Sequence, residues 1–161
     1  MAQRPSFDMK KLTNADKILL IGTLVYFIDT FLAWQRVCFG IATFHACGSA
    51  SAWNGSGGFL GILSALFALA VLAWTGMQVA GVNLNVGMPA ARISQILVLG
   101  TLVFGILKFI IVLTNHPGYG AFIGVVLLLV IGYGAYMKMQ EAGAGPVAPP
   151  GPAAPPPPPV A

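Results

Sequence analysis

Four residue types in this chain could do chemistry in or beside a membrane: a lone acid, Asp29; an internal lysine, Lys108; two cysteines, Cys38 and Cys47; and two histidines, His45 and His116. Asp29 and Lys108 each interrupt an apolar run of roughly 20 residues, the length that crosses a hydrocarbon core. One charge left alone in hydrocarbon costs about 2.5–3.5 kcal/mol on insertion scales. Such a group therefore pairs, reaches for the interface, or marks a path for protons or cations. Counted at 1.5 Å per residue from Arg36 and Thr114, the ends of the two runs, both groups lie roughly 9–10 Å below the same membrane face. Opposite charge at matching depth predicts an intramembrane ion pair, Asp29–Lys108, that fixes one helix against another. The competing readings are a Lys108 that snorkels outward and an Asp29 that binds a proton or cation.

Cys38 and Cys47 fall in the loop after the first apolar run, in a compartment where disulfides persist. A Cys38–Cys47 bridge closes a short loop and contributes roughly 2–3 kcal/mol. With His45 and His116 on the same side, a zinc or copper site is the rival chemistry. The spacing matches no finger, however, and His116-Pro117-Gly118 reads as a turn, so no metal site is expected. No histidine lies within a span to ligate a haem. No Ser-His-Asp or Ser-Lys set shares a depth, and no phosphate-cradling loop follows a strand. Neither an enzyme nor a cofactor is expected.

These groups need a scaffold, and composition names its solvent. With 57% hydrophobic and 7% charged residues in 161, the chain cannot cover a water-facing surface, so lipid must solvate much of it. The expected spans are residues 17–36, 59–81, 92–114 and 121–139. They should be helices, because lipid leaves no partner for an open backbone. Thr13 with Asp16 three residues on is a capping signal that starts the first helix near Asn14.

Arg4, Lys10, Lys11 and Lys17 precede the first span, Arg92 separates the second and third, and Lys138 closes the fourth, with only Arg36 opposite. The positive-inside rule then puts both termini in the cytoplasm. These cations sit at span ends rather than in a patch, so nucleic acid is not a partner; the lipid bilayer is. Trp34 and Tyr119 are expected as anchors at the outer interface, Tyr133 and Tyr136 at the inner one.

Helix contacts in lipid are made by small and polar residues. Such stripes run through Gly22, Tyr26, Asp29, Ala33 and Arg36, through Gly61, Ser64, Ala65, Ala68, Thr75 and Gly76, and through Ser94, Thr101, Gly105, Lys108 and Asn115. The fourth span opens with Gly120-x-x-x-Gly124, a close-approach pattern. The fold expected is an all-α, antiparallel four-helix membrane bundle. A cytoplasmic segment, residues 1–16, precedes it. Residues 140–161 form a disordered Pro/Ala/Gly-rich tail; Gly143 to Ala161 hold nine of the twelve prolines.

Phe31-Leu32-Ala33-Trp34, Ser51-Ala52-Trp53-Asn54-Gly55, the Gly/Leu/Ala-rich second span and the Ala/Gly/Pro tail resemble uncharacterised four-span membrane proteins of actinobacteria. The resemblance implies residence in a bacterial inner membrane. One acid in the first of four spans, Asp29, is also distantly similar to the small multidrug transporters. The expected function is that of a small accessory or scaffold protein, packing with a larger membrane complex or with itself through its outer loop and small-residue faces. The alternative is a proton- or cation-coupled transporter using Asp29.

Overall fold

A computed structural model describes residues 12–41, 44–82 and 87–143. In chain order the elements are α1 (Asn14–Asp29), β1 (Gln35–Ile41), β2 (Phe44–Ala50), α2 (Gly58–Val79), α3 (Ala90–Leu113) and α4 (Tyr119–Gly143). Helices α2, α3 and α4 are each long and apolar enough to cross a membrane, the mark of a multi-pass membrane protein. Helix α1 has 16 residues and rises only about 24 Å.

Helix α1 begins where its capping signal lies. Thr13 Oγ1 accepts the Asp16 N–H at 3.2 Å and donates to the Asp16 carboxylate at 3.1 Å. It ends seven residues short of Arg36. The N–H groups of Phe31 and Leu32 donate to the carbonyls of Ile28 and Asp29, the i→i+3 tightening of a terminal turn. The Trp34 N–H then donates to Ala50 O at 2.9 Å, and the chain leaves as a strand.

The segment expected as a plain outer loop is a β-hairpin, so the fold is mostly helical rather than all-α. Strands β1 and β2 pair antiparallel in a register that sets Gln35 opposite Ala50 and Cys38 opposite Cys47. Val, Cys and Phe in β1 suit a pleated strand.

The four helices form a ring in which α1 packs on α2 and α4, and α3 packs on the same two. Their small and polar stripes turn inward. Gly22, Tyr26 and Asp29 of α1, Gly61, Ser64, Ala65, Ala68 and Thr75 of α2, and Ser94, Thr101, Gly105 and Lys108 of α3 are buried, whereas Ala33 and Gly76 are half-buried, and Arg36 and Asn115, beyond the ends of α1 and α3, are exposed. Large apolar side chains such as Leu24, Leu66, Leu99 and Leu129 point out, the pattern lipid as solvent demands. At mid-bundle the Tyr26 hydroxyl and Ser64 Oγ lie 2.7 Å apart, and Ser64 Oγ donates to Thr101 O at 2.9 Å. That chain bolts α1, α2 and α3 together. At the end away from the hairpin, Lys138 Nζ meets Asp16 Oδ1 at 2.7 Å and Gln78 Oε1 at 3.0 Å, tying α1, α2 and α4.

Helix α4 runs through Gly143, past the expected end at residue 139. Residues 1–11, and residues 144–161 of the tail expected to be disordered, lie outside the described residues.

Candidate functional site

The polar groups concentrate at the hairpin end, where β1, the turn before α2 and the α3–α4 loop converge. Trp34 organises it. Its indole is fully buried, stands edge-on to Tyr26, and its Nε1 donates to Asp29 O at 3.0 Å. Its backbone carbonyl accepts the Gly118 N–H at 2.7 Å, and Gly120 N–H donates to Ala33 O at 3.0 Å. The expectation of an interfacial anchor is overturned for Trp34: the indole fills the notch that the glycines of α4 leave open. A Cβ on Gly124 would stand 2.4 Å from Trp34 Cζ2 and 2.7 Å from Asp29 Oδ2, and one on Gly120 3.0 Å from Ala33 O. The Gly120-x-x-x-Gly124 face thus receives the end of α1 and the tryptophan that follows it.

Asp29 and Lys108 are both buried, at 2% and 0% exposure, but the ion pair drawn between them is not formed. Lys108 Nζ donates to Ser56 O at 2.7 Å and to Asn54 O at 3.3 Å. Both Asp29 carboxylate oxygens are buried without a hydrogen-bond partner. The reason is topological. Helices α1 and α3 occupy one diagonal of the ring, and because α1 stops at Asp29 the acid sits at the helix end rather than deep within a longer span. Lys108 instead reaches toward the hairpin end, as a snorkelling lysine does, and docks on two backbone carbonyls. Among the described residues the ion pair formed is Lys138–Asp16.

Cys38 and Cys47 face each other across the hairpin at disulfide-bonding distance, with Cα atoms 4.0 Å apart. The hairpin is also held from below. Arg36 N–H donates to His116 O at 2.9 Å, Ala52 N–H donates to Thr30 O at 3.0 Å, and Gln35 bridges to Pro117. Trp53 Nε1 adds a bond to Thr30 Oγ1 at 2.9 Å, and its ring stacks on Phe31. His116 is exposed, with φ of 53°.

Two roles in this site are not legible in the sequence, although the turn at Asn54–Ser56 itself is. Gln35 is 1% exposed with Oε1 unpartnered, and the Asn54–Ser56 turn supplies the carbonyls that Lys108 uses. The only signal for either was indirect: a lysine inside a span must find oxygens somewhere. No protein-family model matches the chain, and no curated protein or solved structure matches it either.

Proposed function

We propose that this is a small multi-pass accessory protein of the bacterial inner membrane, with both termini cytoplasmic, that displays its hairpin to a larger membrane protein or to a second copy of itself. The observation that carries this reading is the anchoring of the hairpin. Backbone bonds involving Trp34, Arg36, Ala52 and Gly118 join it to the bundle, and the facing cysteines hold its two strands together. A recognition element ordered in advance gives up less entropy on binding. The stripes of small residues do not serve as partner surfaces in this reading, because they are consumed inside the bundle. What is left for a partner is the hairpin and the outward apolar faces.

Co-purification in mild detergent tests it. Gly48 lies on exposed β2 with open space around its Cα, so Gly48→Lys leaves the fold intact. The expected outcome is a stoichiometric partner, or a dimer, retained by wild type and lost by Gly48→Lys. A monomer without partners in both forms refutes the reading.

A second reading rests on Asp29, whose carboxylate is buried and unpartnered, as a proton or cation site in coupled transport. It predicts that a hydrophobic carbodiimide labels Asp29 and that Asp29→Asn abolishes substrate-driven pH changes in proteoliposomes. Identical pH responses from wild type and Asp29→Asn refute it.

A further inference from the structure

Asp29 stands where the hairpin meets the bundle and touches that junction twice. It is the last residue of α1. Its backbone carbonyl accepts the Trp34 indole N–H at 3.0 Å and the Leu32 N–H at 2.9 Å. Its side chain shares the notch that holds the indole: a Cβ on Gly124 would stand 2.7 Å from Asp29 Oδ2 and 2.8 Å from Trp34 Cη2. The base of the hairpin hangs on Trp34 in turn. Its N–H donates to Ala50 O, and its carbonyl accepts the Gly118 N–H.

The notch makes no provision for a charge. Both carboxylate oxygens are buried without a hydrogen-bond partner, at the negative end of α1, where the last helix carbonyls disfavour an anion. A buried carboxylate without a partner is far costlier than a neutral carboxylic acid. The surrounding elements offer no free cation in compensation. Helix α2 carries no ionisable residue. On α4 the ionisable residue at this end is Tyr119, which is exposed, while Tyr133, Tyr136, Lys138 and Glu141 lie toward the other end. On α3, Lys108 is held by the Ser56 and Asn54 carbonyls, and Arg92 begins the helix at the far end. Within α1 the Tyr26 hydroxyl is taken by Ser64, and Asp16 and Lys17 lie in the first turn. Arg36 of β1 and His116 of the α3–α4 loop are exposed, and Cys38 and Cys47 are bonded to each other. The one polar hydrogen of the adjoining indole is spent on the Asp29 backbone.

We propose that a proton on Asp29 latches the base of the hairpin: the neutral acid lets Trp34 seat against Gly124, and ionisation unseats it. A carboxylate there regains solvation by admitting water to the notch or by drawing the indole N–H off the carbonyl. Either movement displaces the ring. Trp34 carries its bonds to Ala50 and Gly118 with it, so the hairpin loosens at its base. The Tyr26–Ser64–Thr101 chain and the Lys138–Asp16 pair lie away from the notch and hold the bundle. The latch requires no transport and no particular partner for the hairpin.

Two measurements on the full chain in detergent test it, neither of which reads partner binding or transport. The first is denaturant unfolding across pH in wild type and Asp29→Asn. The seated form keeps a proton that an unfolded aspartate releases above about pH 4. Wild type should therefore lose stability relative to Asp29→Asn as pH rises, by up to about tenfold in the unfolding equilibrium per pH unit. The second is acrylamide quenching of Trp34 in a Trp53→Phe, Trp74→Phe background. Quenching should rise between pH 5 and pH 9, and adding Asp29→Asn should hold it at the low-pH value throughout. Where that background does not fold by circular dichroism, exchange of the Trp34 and Gly118 amides, corrected for intrinsic rate, is read in wild type and Asp29→Asn instead. Equal pH dependence of stability in wild type and Asp29→Asn overturns the proposal. So does a Trp34 environment that stays constant with pH, or one that changes equally in the Asp29→Asn variant.

Discussion

Gly124→Ala tests the packing that holds the hairpin end together. The added methyl would stand 2.4 Å and 2.8 Å from Trp34 Cζ2 and Cη2, and 2.7 Å from Asp29 Oδ2. Contact between carbons settles near 3.5–4.0 Å, so Trp34 or the α1–α4 spacing must give by about 1 Å. The indole has no room to retreat, since it is fully buried and tied through Nε1 to Asp29 O. Overpacking of this kind costs about 1–3 kcal/mol, and losing the indole bond adds roughly 0.5–1.5 kcal/mol. Replacing glycine by alanine inside a helix returns about 1 kcal/mol. The net expectation is a loss of about 0.5–3.5 kcal/mol. Gly132→Ala is the control, because its methyl would meet Leu102 at ordinary contact distances of 3.7 and 3.9 Å; it should be neutral or stabilising. Denaturant unfolding in micelles, followed by tryptophan fluorescence, measures both. If Gly124→Ala is as stable as Gly132→Ala, Trp34 does not fill the glycine notch and the account of this end of the bundle is wrong.

Further outcomes follow from the same contacts. Asp29→Asn should leave stability unchanged or higher, whereas Lys108→Met should lower it by roughly 1.5–3 kcal/mol as two carbonyls lose a charged donor. The double variant should be additive within about 0.5 kcal/mol, and a larger coupling in the unfolding free energies would show that the two groups do interact. Tyr26→Phe removes one partner of a 2.7 Å bond while Ser64 keeps Thr101 O, so its cost should be about 0.6 kcal/mol, the usual size in membrane proteins. Thiol titration of the unreduced, unfolded chain should find no free cysteine, and reduction should lower stability by roughly 2–3 kcal/mol; two titratable thiols before reduction would refute the bridge.

The inward face of each helix could be read from the chain alone. Gly22, Ser64 and Thr101 cannot profitably face lipid, and their spacing at three and four residues puts each stripe on one side of a helix. The start of α1 was equally readable, because Thr13 and Asp16 form a local cap whose bonds need no partner element. Its end was not. Phe31, Leu32 and Trp34 look the same to a hydropathy scale whether lipid or protein surrounds them, so hydropathy carries the span on to Arg36. Only Ala50, brought back by the hairpin, takes the Trp34 N–H and turns the chain into a strand.

Composition and local spacing therefore determined four apolar spans, of which α2, α3 and α4 form helices able to cross a membrane, which faces meet, and that the two cysteines can pair. Tertiary structure decided who neighbours whom. Depth along a helix is a one-dimensional quantity that residue counting supplies, and it placed Asp29 and Lys108 level with each other. Position around the ring depends on how all four helices pack together. It set α1 and α3 on a diagonal, left Asp29 without a partner, and sent Lys108 to the carbonyls of Asn54 and Ser56.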